Sequence, residues 1–382
     1  MTEALAVSPL ITVTRAAAAE TRPLRLLVVH PGATWSTADV EAGLTYGLRK
    51  LGVDVIPFRL DQRIHFAGKT LFTMWRTKKK TQPDLAKPNV ADVMYQAGVG
   101  ALEMALRHQV DVVLIVSAML MHPDIVIMMK RAGLIVTVLF TESPYDSDQE
   151  LAMAARVDGC WTNERSCVQA FQAVNPRSGY LAHAFHPERH YVAARLRDCD
   201  VPTHDVVFVG SGFSERVEWF NSINWRGIDL GLYGTWKGLG LNRYVRKCVH
   251  GEQVNNEFAA ALYRRARIGL NLYRSRKNWG HGSRQPPLYG ESLSPRAYEL
   301  AACGAFHLSE YRAEVREVFG DLVPTFSTPT EAAALIRLWL ADEAGRARVA
   351  AALPACIAEA SWVERAKTVL GDLQTLVKVQ AA

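Results

Sequence analysis

The sequence predicts an α/β protein made of two parallel, doubly wound sheets in tandem. Short apolar runs alternate with stretches of helical spacing, and the alternation breaks once near residue 190 and then restarts. At 382 residues the chain also has room for two domains of about 150–190 residues each.

"LRLLVVH" (Leu24–His30) is apolar almost throughout and stops at Pro31-Gly32, the profile of a strand buried on both faces. Helical spacing runs from about Thr37 to Lys50 and ends at Leu51-Gly52, after which "VDVIPF" supplies a second strand. A helix across about Val90–Arg107, the strand "DVVLIV", a helix after His122-Pro123 and the strand "LIVTVLF" continue the pattern. Around "SGYLAHAFHPERHYV" (Ser178–Val192) it gives way to His, Pro and aromatic residues. "DVVFVGSGFSERVEWF" (Asp205–Phe220) restarts it as strand, glycine turn and helix. "IDLGLYG", "RIGLNLY" and "GAFHLS" are further short strands, and about Thr330–Val377 is helical and alanine-rich. The expected division is a leader over 1–22, an N-terminal domain over 23–190, a C-terminal domain over 191–355, and a helix over 356–382 packing back on the first domain.

Composition is globular, with 49% hydrophobic and 21% charged residues. A net charge of +6 suits an anionic ligand without by itself implying nucleic acid. The six cysteines form no CxxC pair and no zinc spacing, so they are expected to be reduced thiols of a cytoplasmic protein. Glu3 and Pro9 interrupt any secretory signal, and the longest apolar run, "VVLIVSAMLM" (Val112–Met121), is about half the length of a membrane span.

Ligands of open parallel sheets bind beyond the carboxyl ends of the strands, so the expected site is the cleft between the domains. In "VVFVGSG", Gly210 and Gly212 follow a strand and precede a helix carrying Arg216, an arrangement suited either to a phosphate or to a plain tight turn. Glu215 at the third glycine position argues against the dinucleotide fingerprint. In "SPRAYELAACGAFHL", Ser294 is a candidate N-cap and Pro295 a first helical residue, but Ala297 occupies the capping-box position, so Glu299 is not explained as a cap. An exposed ion pair with Arg296 would be worth only about 0.3 kcal/mol. The run that follows is apolar nearly all round, so the helix is buried and its carboxylate needs partners. The two adjacent hydroxyls of a ribose would satisfy it.

On the N-terminal side, "VLFTESPYDSD" puts Glu142 just past a strand end, where a carboxylate can take a proton from an acceptor hydroxyl or serve as ordinary turn chemistry. His30 and His122 each follow a strand and precede a proline, as catalytic or as hydrogen-bonded loop histidines, while His183 and His186 fall where the chain changes domain. None of these forms a metal set with carboxylates. Two stretches, Arg63–Pro88 and Tyr263–Pro287, are basic and aromatic; they are read as a solvated loop plus a diphosphate clamp, or as a polyanion-binding surface.

"SPRAYELAACGAFHLSEYRAEVREVF" closely resembles the C-terminal signature of GT-B glycosyltransferases, in particular the spore-maturation CgeB-like branch, which carries an S-x-R-x-x-E-x-x-A-C-G run followed by a strand. "FVGSGFSERVEWF", "GIDLGLYGTW" and "YRRARIGLNLYRS" resemble the preceding blocks in the same order, so the likeness covers about Asp205–Ala360. It implies two Rossmann-like domains facing across a cleft. The second would hold a nucleotide-sugar donor, a UDP-sugar as co-substrate, with no bound cofactor or metal and a retaining outcome. Glu299 would accept from the ribose, and Gly210, Gly212 and Arg216 would face the diphosphate, with Arg274, Lys277 and Arg296 assisting. Tyr233, Gly234 and Trp236 would border the nucleobase, and Asn271 would sit near the donor sugar. The branch often has a second acidic residue seven positions before the ribose-binding one, and here Ser292 stands there beside Glu291. The acceptor is left open between a saccharide, a protein and DNA, as is a homo-oligomeric state. The reading from another class is a non-catalytic nucleotide-sugar or polyanion-binding protein of the same shell.

Overall fold

The computed structural model describes residues 22–32, 37–192, 200–236, 238–251, 254–275 and 289–381. It contains two six-stranded sheets, parallel throughout. The first is built from β1 (Arg25–His30), β2 (Asp54–Arg59), β3 (Val112–Val116), β4 (Ile135–Phe140), β5 (Gly159–Thr162) and β6 (Ser178–Tyr180), in the order β2-β1-β3-β4-β5-β6. The second is built from β7 (Val206–Val209), β8 (Leu230–Tyr233), β9 (Val249–Gly251), β10 (Ile268–Asn271), β11 (His307–Glu310) and β12 (Thr325–Phe326), in the order β12-β11-β10-β7-β8-β9. In each sheet the first strand of the chain lies between the second and a later one, so strand order reverses beside β1 and beside β7. Crevices open at such reversals.

The unbroken apolar strands follow from burial on both faces. Leu27 and Val29 of β1 enter one core with Val93, Ala97 and Ala101 of α3 (Val90–Arg107). Leu26 and Val28 enter the opposite core with Val40, Leu44 and Leu48 of α1 (Ala38–Lys50). That second core is completed by the end of the chain: α14 (Trp362–Ala381) contributes Trp362, Ala366, Val369 and Leu373. Gly43 and Gly47 of α1 permit the approach, since a Cβ there would lie 2.1 Å from the Trp362 ring and 2.4 Å from its carbonyl oxygen. The C-terminal helix therefore straps the first domain, and Trp161 Nε1 donates to Asp372 at 2.9 Å to fix it.

Residues 60–78 are not a solvated loop but helix α2 (Leu60–Lys78), lying on α3. Ile64, Ala67, Leu71, Phe72 and Trp75 recur at helical spacing and are buried or half-buried, which the abundance of Lys and Arg on the other face obscures. Its rings are partly covered by cations that follow it, with Lys79 over Trp75 at 4.7 Å and Lys87 over Phe72 at 5.9 Å.

Candidate active site in the interdomain cleft

The carboxyl ends of the two sheets face each other across a cleft of about 360 Å³. Its second-domain wall is made by the loop after β7, the segment after β10, and the start of α10 (Pro295–Ala302). Ser294 does take the N-cap position with Pro295 at N1, but its hydroxyl donates to Asn271 Oδ1 at 2.9 Å instead of capping the helix.

The wall is strongly cationic. Arg216, on α7 (Ser214–Ser222), is 8% exposed and donates to the Ser211 and Leu272 carbonyls, both at 2.9 Å. Its guanidinium lies 5.3 Å from the Phe208 ring centre and 5.0 Å from that of Phe213, and its Nε has no partner among the described residues. Arg296 donates to the Val209 carbonyl at 2.8 Å and to that of Leu272 at 3.2 Å, joining the ends of β7 and β10 where strand order reverses. Burial, then the neighbouring Arg296, pushes the Arg216 guanidinium down to about 9. Glu215 and Glu310 offset part of this charge, and the hydrogen bonds of Arg216 go to backbone carbonyls, an arrangement suited to an anion.

Gly210 lines this wall for a steric reason. Its amide donates to the Tyr233 carbonyl at 2.8 Å, and a Cβ on it would lie 2.6 Å from the Arg296 guanidinium. Gly234 has φ +121°, and a Cβ there would meet the Gly210 carbonyl oxygen at 2.3 Å. The two glycines let adjacent strand ends touch.

Glu299 also lines the cleft. Burial pushes its carboxyl up to about 8, and Asp39 on the opposite wall adds to the effect, while Arg296 and Arg189 oppose it. Asp39, at the start of α1, is itself raised by burial and ion-paired with Arg189. Two carboxyl groups from different domains thus share one electrostatic environment, and burial shifts both toward the protonated form.

A clasp holds the domains together at the other end of the cleft. Glu142 Oε2 accepts from Arg274 Nη1 at 2.9 Å, and Arg274 lies over the rings of Tyr145 and Phe213. Tyr145 donates to the Arg274 carbonyl and accepts from Arg312 Nη2 at 2.8 Å. Glu164, 2% exposed, accepts from the amides of Glu291 at 2.9 Å and Ser292 at 3.2 Å, with Arg312 Nη1 3.7 Å away. Ser292, at the position where an acid was expected, is therefore buried and bound to a carboxylate from the other domain. Burial raises the Glu142 carboxyl, with Arg274 opposing.

The cleft brings together Glu142, Gly210, Arg216, Arg274, Arg296 and Glu299 of the expected residues. Others do not reach it. Asn271 is fully buried and its amide is engaged by Ser309, Ser294 and Arg296, so it organises the start of α10 instead of facing a sugar. Tyr233 is 2% exposed, with its hydroxyl 2.9 Å from His204 Nε2. Trp236, 1% exposed, packs edge-on against Phe208 and Phe220, borders a separate depression with Leu239 and Arg246, and is the ring that Gly212 accommodates. His122 caps α4 (Pro123–Arg131) by accepting from the Asp124 amide at 3.2 Å. His30 is buried 3.9 Å from Glu41 and forms no part of the cleft wall. Lys277 lies outside the described residues. His183 does line the cleft, held neutral because burial pulls its imidazole down to about 3.

Arg312, Tyr145, Glu164 and Asp39 were missed. Arg312 follows β11 by two residues, the strand-end position that should have drawn notice. The others are legible only once the domains face each other.

Residues 216–371 match the family model described as glycosyl transferase-like. No curated protein sequence matches the chain. Among solved structures, sucrose-phosphate synthase from Thermosynechococcus elongatus superposes with a TM-score of 0.63 at 13% identity, over 93% of this chain and 100% of that one. A trehalose-6-phosphate synthase studied for glycosyl transfer with retention gives 0.59 at 11% identity, over 92% and 99%. The E. coli trehalose-6-phosphate structure bound with UDP-2-fluoro glucose gives 0.58 at 12% identity, over 92% and 99%. The fold is that of the GT-B glycosyltransferases. The family match lies within the second domain and the helices that follow it, and over that part the chain is similar to glycosyl transferase-like proteins.

Proposed function

We propose that the chain transfers a sugar from a nucleotide-sugar donor, a UDP-sugar, to an acceptor hydroxyl, as a member of the CgeB-like branch, with retention and without a bound metal. The observation that carries the reading is the buried Arg216–Arg296 pair at the strand reversal, facing a cleft that also holds Glu299. Arg216 and Arg296 neutralise the departing diphosphate, with Arg274 joining them from the same wall. Glu299 accepts from the ribose hydroxyls as a carboxylate, its proton having passed to solvent. The bond from the anomeric carbon to the diphosphate breaks as the bond to the acceptor oxygen forms, and the acceptor proton passes to Glu142.

Retention requires the acceptor to arrive on the face from which the diphosphate leaves. The 2.9 Å Glu142–Arg274 contact supports it, because the base and a diphosphate-binding arginine then lie on one side of the sugar. The trehalose-6-phosphate synthase likeness points the same way.

The test is a thermal-shift screen of UDP-, GDP-, ADP- and dTDP-sugars and their free diphosphates on wild type and Glu299→Gln. The expected result is a rise in melting temperature with a UDP-sugar that is lost in the variant. No shift with any nucleotide would overturn the donor assignment and favour the polyanion-binding reading.

A further inference from the structure

A second cavity, of about 270 Å³, opens in the first domain beyond the carboxyl ends of β3 and β4. Met94, Met119, Met121, Met153 and Phe140 make it apolar. Glu142 lines both this cavity and the cleft, so the two spaces meet at the proposed base. Ser117 marks the strand end at which it opens. That residue has φ +54°, a left-handed conformation uncommon for anything but glycine, asparagine or aspartate. It is 1% exposed, and its hydroxyl has no hydrogen-bond partner among the described residues. A strained backbone and an orphaned hydroxyl at one strand end, on the wall of a cavity, are the marks of a ligand site.

From this we propose that the cavity anchors the acceptor, and that the acceptor is an uncharged alcohol or phenol with an apolar body of one or two rings. The inference rests on the glycosyltransferase reading above and adds the acceptor's chemistry to it. Size sets the ring count: an apolar cavity of about 150 Å³ holds one benzene ring, and this one is nearly twice as large. Methionines suit flat or irregular apolar shapes because the thioether is flexible and polarisable. Anions are disfavoured, since Glu142, Asp146 and Glu150 line the cavity while Arg156 is the one cation lining it among the described residues, although Arg274 pairs with Glu142 and burial raises the Glu150 carboxyl to about 7. A phosphorylated sugar or a DNA backbone would meet three carboxyl groups there. Ser117, just past β3, is the group that would pair with a polar substituent of the acceptor, and the reacting hydroxyl lies at Glu142.

Isothermal titration of the full chain with 2-naphthol, 2-naphthoate, D-glucose and UDP, in wild type, Met119→Trp and Ala152→Trp, tests this. Both substituted residues line the cavity but are not fully buried, and they lie on different walls. Melting curves establish that each variant folds, and either one alone suffices for the comparison. The expected result is saturable 2-naphthol binding, at least tenfold weaker in the variants, with UDP affinity unchanged within twofold. Naphthoate and glucose should bind at least tenfold more weakly than naphthol to wild type. No saturable naphthol binding, equal binding in the variants, or naphthoate or glucose binding as tightly as naphthol would each overturn the proposal. Naphthol binding that both variants weaken, in a protein that fails to bind UDP, would uphold the cavity's ligand class while removing the donor reading.

Discussion

Arg274, just past β10, and Glu142, just past β4, form a 2.9 Å ion pair that closes the cleft from opposite domains, with 14% and 16% of their side chains exposed. Each is held where it would act, and each neutralises the other until a donor competes for the arginine. Removing one partner strands the other in a poorly solvated place. Glu142→Gln and Arg274→Met should each destabilise the fold, and the double variant should cost about 1–3 kcal/mol less than their sum. Denaturant unfolding of the four proteins measures the coupling, and simple additivity would refute it. With a productive acceptor in hand, Glu142→Gln should lower kcat by at least about a hundredfold.

Arg216 should contribute binding energy without contributing stability. Its charge is buried beside Arg296, and burial already disfavours the cation. Arg216→Met should leave the melting temperature unchanged or raise it, because a strained buried charge is replaced by an apolar chain. UDP affinity should fall about tenfold or more, the usual worth of a charge-assisted hydrogen bond. A lower melting temperature with intact UDP binding would show that the residue is structural.

Glu299 predicts a pH dependence. Its carboxyl is raised in the folded protein from 4.5 to about 8, so the folded state holds a proton that the unfolded state releases. Stability from this group is full below about pH 4.5 and is lost as pH rises to about 8. Glutamine mimics the protonated acid at every pH. Glu299→Gln should therefore gain on wild type by about 1–2 kcal/mol between pH 5 and pH 9, allowing for water in the cleft. Melting curves at pH 5, 7 and 9 test it, and parallel curves would show a normally titrating carboxylate.

Gly234→Ala should disrupt the donor wall through the backbone. Its φ of +121° and the 2.3 Å approach to the Gly210 carbonyl leave no place for a methyl group. We expect a loss of at least about 2 kcal/mol, from the strained conformation together with the forced parting of β7 and β8. Gly227→Ala shares a positive φ but has open space around it, so it should cost less. Equal melting temperatures for the two variants would refute the steric argument.

The alternation of apolar runs and helical spacing was enough for the fold class, since doubly buried strands must be apolar along their length. Leu24–His30 and Val112–Val116 show this directly. α2 was lost because its charged face outweighs a half-buried stripe in any reading by composition. Glu299 was legible because a carboxylate on a helix with no capping duty needs another reason to be there. Tyr233, Trp236 and Asn271 sit at or just past strand ends, as Arg274 does, and only side-chain direction separates those turned into the core from those turned into the cleft.

What the sequence alone determined is therefore local and periodic: two parallel sheets, where their strands end, and which polar residues stand at those ends without a local explanation. What the tertiary structure decided is which of those ends meet. Arg274 with Glu142, Glu164 with the Ser292 amide, and Asp39 with Glu299 are pairs more than a hundred residues apart. No period or spacing encodes such pairs, because they depend on the angle at which two separately folded sheets dock.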